Sequence, residues 1–123
     1  MKRVEAIKEG FYFTDGEKII KIIGEFPNRP DFYRALTEDE EEIKIRKEKL
    51  FKVRLNDNWL KDLGYKEGES IYKDEQTESF LKKSGPSFHI EERTGSDKKR
   101  KMVLSVDELQ NYIFEKTGKV PEV

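Results

Sequence analysis

Few side chains in this sequence have chemistry to offer, and they are scattered. His89 is the single histidine among 123 residues. It stands in Phe88-His89-Ile90-Glu91-Glu92, where apolar and polar positions alternate as in a half-buried strand. A catalytic histidine needs a nucleophile and an orienting group beside it. His89 has no such neighbour in the sequence and reads as a surface or boundary residue. There is no cysteine, so thiolate metal sites, disulfides and cysteine nucleophiles are excluded. Five acids run from Glu38 to Glu42 without the alternating ligand spacing of a calcium loop. They read as a solvated face, and neither metal nor cofactor is expected. The eight glycines are dispersed at turns, so no loop is rich enough in glycine to cradle a phosphate.

Two groups could bind rather than catalyse. Lys98-Lys99-Arg100-Lys101 lies at or beside a turn, where cations can reach phosphates or simply guard a sheet edge. Arg29, Tyr33 and Arg34 gather around the connection 27–36. Arginine beside an aromatic ring suits a ligand contact or an interface. The alternative places Tyr33 in the core and both arginines in solvent. Trp59, beside Leu60 and Leu63, reads as a core anchor.

The elements that must position these residues follow from periodicity. Asp15-Gly16 between Gly10-Phe11-Tyr12-Phe13 and 18–23 predicts a hairpin, with Gly24 and Pro27 ending its second arm. Val4-Glu5-Ala6-Ile7 is a candidate earlier strand. Residues 27–30 read as a turn and 31–36 as a short helical turn. Thr37-Glu38-Asp39-Glu40 matches a capping box, and acids followed by Lys44, Arg46, Lys47 and Lys49 suit a helix dipole. Ile43, Ile45, Phe51, Val53 and Leu55, however, share the strand parity. Against that parity, the segment to about 48 is read as helix or loop, with a strand expected over 50–55.

Asn56 and Gly64 bracket a short capped helix. Residues 70–73 follow as a strand. Residues 74–87 read as polar, with a helical turn near Phe80-Leu81 and a break at Gly85-Pro86. A second hairpin over 88–104 turns at 94–97. Ser105-Val106-Asp107-Glu108 is a capping box that opens a helix with Val106, Leu109, Ile113 and Phe114 on one side and Gly118 as its stop. The expectation is one α+β domain over 1–123, with a mostly antiparallel sheet, bent or a partial barrel, and the C-terminal helix packed on it.

Composition narrows the class. The chain is 41% charged and 34% apolar, so a modest core must be covered by charged faces. The 25 basic and 26 acidic residues nearly cancel, and residues 1–60 hold 13 of each. Nucleic-acid binders usually show a basic excess, so nucleic acid is not the expected partner. No apolar run reaches signal-peptide or membrane-span length, which leads to the expectation of a cytoplasmic protein without membrane contact.

Three stretches, Ile7-Lys8-Glu9-Gly10 through Asp15-Gly16 to Ile22-Ile23, Phe51 to Tyr65 with Trp59-Leu60-Lys61-Asp62-Leu63-Gly64-Tyr65, and Val106 to Phe114 with Thr117-Gly118, together resemble a family of small proteins of Bacteroidetes-type phages, prophages and mobile elements. The last is the most specific. Asp107 replaces the family's usual histidine, the opening at 7–10 is altered, and 28–49 has no counterpart. The resemblance implies a mobile-element setting and carries no activity with it. Gln110 and Asn111 could read a ligand. Otherwise Asn111 would bond to a loop backbone and Gln110 would face solvent. The resulting expectation is a non-enzymatic accessory binding protein with a protein partner, in its most specific form an inhibitor of a host defence protein. Alternatives are a nucleotide-signal binder and a nucleic-acid-associated accessory protein.

Overall fold

The computed structural model describes residues 6–123. It is α+β and antiparallel, as expected, with two 4-stranded sheets, neither closed into a barrel, where one bent sheet or partial barrel was expected. The chain divides into two compact units, one up to Val53 with Glu122 and the other from Arg54 to Pro121 with Val123.

The first unit carries β1 (Tyr12–Thr14), β2 (Ile19–Phe26), β3 (Arg29–Thr37) and β4 (Glu42–Arg46) in that spatial order. Asp15 closes the first hairpin by accepting the amides of Glu17 and Lys18 at 2.8 and 2.7 Å, which holds its carboxyl below the usual carboxylate range. Gly16 supplies φ +103°. Phe11, Phe13, Ile20, Ile22 and Ala35 are at most 1% exposed and form this unit's core. Of the candidate first strand, Val4 and Glu5 lie outside the described residues, and Ala6 and Ile7 are not in a strand.

Residues 27–46 differ from the expected helical segments. β2 passes through Gly24 with a register shift and ends at Phe26. Only Pro27 and Asn28 turn, and residues 31–36 belong to β3. The Thr37 capping box is spent on a hairpin turn. Thr37 Oγ1 accepts the Glu41 amide at 3.1 Å, and Glu40 takes a positive φ of 61°. Parity decides against the helix. In the register Tyr33↔Ile45 and Ala35↔Ile43, the two isoleucines meet the inward side of β3, whereas a helix would not set alternate residues on one side. The strand expected at 50–55 is reduced to isolated bridges, Thr14↔Phe51 and Arg54↔Ser105.

The second unit carries α1 (Asp57–Asp62), then β5 (Ser70–Lys73), β6 (Thr77–Ser84), β7 (Ser87–Thr94) and β8 (Asp97–Val103), and finally α2 (Val106–Thr117). The strands again lie in sequence order. Asn56 caps α1 by accepting the Trp59 amide at 2.9 Å. Trp59 itself is only half-buried, and Leu60 and Leu63 do the anchoring. The helical turn expected near Phe80 is part of β6, because Ser79 and Leu81 point inward at 0% exposure. α2 lays Val106, Leu109, Tyr112 and Ile113 on the inward side of this sheet, and Gly118 stops it in the left-handed region at φ 77°. The expected capping box is altered, because Glu108 reaches back past the N-cap Ser105 to the residue before it. Glu108 accepts the Leu104 amide at 2.8 Å, while the Ser105 hydroxyl makes no cap bond. Among the described residues no helix is long and apolar enough to cross a membrane.

Candidate functional site

Strand alternation gives the second unit's sheet one covered face and one open face. The covered face carries Ser79, Leu81, Phe88, Ile90 and Val103 beneath α2. On the open face the register sets Lys73, Glu78, Arg93 and Lys98 in one row, Phe80, Glu91 and Arg100 in the next, and Lys82, His89 and Met102 in the third. That is five cations against two carboxylates, in a chain whose total charge is −1.

Arg93 organises the centre. Its guanidinium lies 4.5 Å from the Phe80 ring centroid and donates through Nε and Nη2 to Glu91 Oε2, both at 2.8 Å. These bonds hold the Glu91 carboxyl below its usual range, with nearby Lys82 and Lys98 adding to the effect. A flat cation stacked on a ring and clamped by a carboxylate is fixed in direction. Lys98 and Arg100 beside it are exposed.

His89 is a correction to the sequence reading. It is only 4% exposed, because neighbouring side chains cover the ring. Arg100 Nη2 lies 3.2 Å from Nε2, and Ser84 Oγ lies 3.5 Å from Nδ1. Arginine has donors only, so Nε2 accepts and the ring proton sits on Nδ1. Burial, and then the charge of Arg100, lower the histidine pKa from 6.5, Glu91 opposes and Lys82 adds. This is not a catalytic triad, because the nitrogen that would face an orienting carboxylate faces an arginine.

The shift has a consequence for stability. The fold favours neutral His89, so its contribution is complete above 6.5 and is lost as pH falls through the lower folded value. His89→Gln is expected to flatten the acid limb below about pH 6.5 relative to wild type in urea titrations. An unchanged pH dependence would remove His89 as its source.

The residues singled out from sequence are partly brought together. Lys98 and Arg100 share the open face, while Lys99 points to the other side, opposite Glu92. The cations 98–100 lie within edge strand β8, beside the turn at 95–96. Arg29, Tyr33 and Arg34 do not form a cluster. Tyr33 faces inward beside a cavity of about 290 Å³ lined by Ile7, Lys8, Glu9, Ile22, Gly24 and Glu25. Burial, with the charge of Glu25, raises its phenol pKa. Arg34 is on the opposite side, bonded to Glu42 at 2.7 Å. Gln110 and Asn111 exchange their expected roles. Gln110 is 0% exposed and donates to the Pro121 carbonyl at 2.9 Å, whereas Asn111 bonds to Glu115 one turn on at 3.2 Å.

Lys82, Arg93 and Phe80 went unnoticed in the sequence. The only available signal was the alternation in 78–93, and polar spacing had hidden it. No family model, no curated protein and no solved structure matches this chain. The functional reading therefore rests on the geometry of the site.

Proposed function

We propose that this is a non-enzymatic accessory binding protein that holds an acidic partner protein on the open face of the 70–103 sheet. The observation behind this reading is charge segregation. One face collects Lys73, Lys82, Arg93, Lys98 and Arg100 against Glu78 and Glu91, although the whole chain is neutral to within one charge. Phe80 and the 55%-exposed Met102 give that face apolar contact area. Aromatic, methionine and arginine side chains are the types enriched at interfaces. A basic field of this kind steers an acidic partner and sets its orientation. A mobile-element setting, as the resemblance at 7–23, 51–65 and 106–118 implies, suits a small factor that blocks a host protein by covering its acidic surface.

The test uses a labelled polyglutamate peptide followed by fluorescence anisotropy. Binding is expected at low salt and is expected to weaken as ionic strength rises. The exposed pair Lys98→Glu and Arg100→Glu should weaken it at least about tenfold, since like charges then face each other. No binding at low salt, or binding indifferent to the charge reversal, would sink the reading.

A further inference from the structure

The first unit carries a different arrangement on the outward side of β2, β3 and β4. Phe32, Arg34 and Leu36 alternate outward along β3, opposite Arg46, Lys44 and Glu42 of β4, and Phe26 of β2 stands opposite Arg29. Three cations converge on the Phe32 ring. Lys44 Nζ is 4.4 Å from its centroid, Arg46 Cζ 5.2 Å and Arg29 Cζ 5.7 Å. Lys44 Nζ is also 5.5 Å from the Phe26 ring. The carboxylates nearby are already engaged, Glu42 with Arg34 at 2.7 Å and Glu48 with Arg46 at 3.4 Å. Arg29 and Lys44 are exposed and have no ion-pair partner among the described residues.

Three like charges around one ring repel each other, and the ring quadrupole offsets this only in part. A run of phosphates would relieve the repulsion. The cations would turn from the ring faces to the phosphate oxygens, leaving Phe32 and Phe26 free to stack on bases. Aromatic rings interleaved with cations on an open antiparallel sheet are what single-stranded nucleic acid requires of a binding surface. An acidic peptide would pair with the cations but would leave both rings without a stacking partner. We infer that the outward side of the first unit's sheet binds single-stranded nucleic acid, with Arg29, Lys44 and Arg46 on the phosphates and Phe26 and Phe32 under the bases. The near-zero net charge does not oppose this, because the field at the surface is set by the local cluster.

The probe is a fluorescein-labelled oligothymidylate of about 15 nucleotides, within the site sizes of such surfaces. Binding to wild type is expected at low salt. Its log–log salt slope should be about −2, from three neutralised phosphates. The exposed variant Lys44→Glu with Arg46→Glu should weaken it at least about tenfold. Phe32→Ala, and separately an abasic oligonucleotide of equal length, should each weaken it at least about fivefold. Circular dichroism checks that the variants fold, and the charge variants carry the test if Phe32→Ala does not. Absence of binding at low salt overturns the inference. So does binding unchanged by Lys44→Glu with Arg46→Glu, or binding lost instead through Lys98→Glu with Arg100→Glu. Equal affinity for the abasic strand removes the stacking role and overturns it in the form stated.

Discussion

Leu109→Ala is expected to lower the stability of the second unit by about 2–5 kcal/mol, the cost of truncating a fully buried leucine whose surroundings relax only in part. Leu109 is 0% exposed. It lies on the buried side of α2 with Val106 and Ile113, over a sheet that offers Leu81, Ile90 and Val103. A six-residue helix, α1, adds little more to this unit, so α2 supplies most of its helical core. The measurement is urea unfolding followed by Trp59, the single tryptophan, which belongs to the same unit. A lower midpoint with an unchanged slope would place the effect in the native state. A change below about 1 kcal/mol would mean that α2 does not pack as described.

The second large effect concerns a polar contact inside that core. Tyr112 Oη and Ser79 Oγ lie 2.6 Å apart, with the residues 3% and 0% exposed. Tyr112→Phe should cost about 1–3 kcal/mol, because the serine hydroxyl stays buried without its partner. Ser79→Ala should cost less, because Glu92 also bonds the phenol. Removing both groups should recover part of the loss, since an apolar pair leaves nothing unsatisfied. Strict additivity of the two single costs would show that the groups are not coupled. The phenol also has a pH signature. Burial pushes its pKa up to about 12, with the Ser79 bond opposing and the charge of Glu92 adding. A raised pKa gives stability that is present below the unfolded value near 10 and is lost as pH rises towards 12. Tyr112→Phe removes that alkaline loss, and identical alkaline limbs in the two proteins would assign it elsewhere.

Elements specified by local chemistry were legible in the sequence. Asp15-Gly16 closes a hairpin with its own carboxylate and its own positive φ. Asn56 and Gly64 bound α1, and Gly118 stops α2. Each of these signals lies within a few residues of the structure it makes. Three segments misled, and for a common reason. At 31–36, 37–48 and 77–84, charged and capping residues imitate helix signals, while the deciding interaction is pairing with a strand elsewhere. Thr37 shows the ambiguity most clearly, because the same hydroxyl that can cap a helix accepts the Glu41 amide across a hairpin turn.

The candidate sites were less legible than the fold. Arg29, Lys98 and Arg100 were visible as cations, but the Phe32 and Phe80 centres were not. Arg46 meets Phe32 from 14 positions away and Arg93 meets Phe80 from 13. The sequence by itself determined the α+β class, the antiparallel hairpins, the C-terminal helix and the charged outward faces, because turn chemistry and side-chain periodicity act over short range. Only the tertiary structure decided which cations share a face, that His89 is covered and neutral at Nε2, and that Gln110 rather than Asn111 holds a backbone carbonyl. Those outcomes depend on strand register, which is fixed by the burial of residues far apart in the chain.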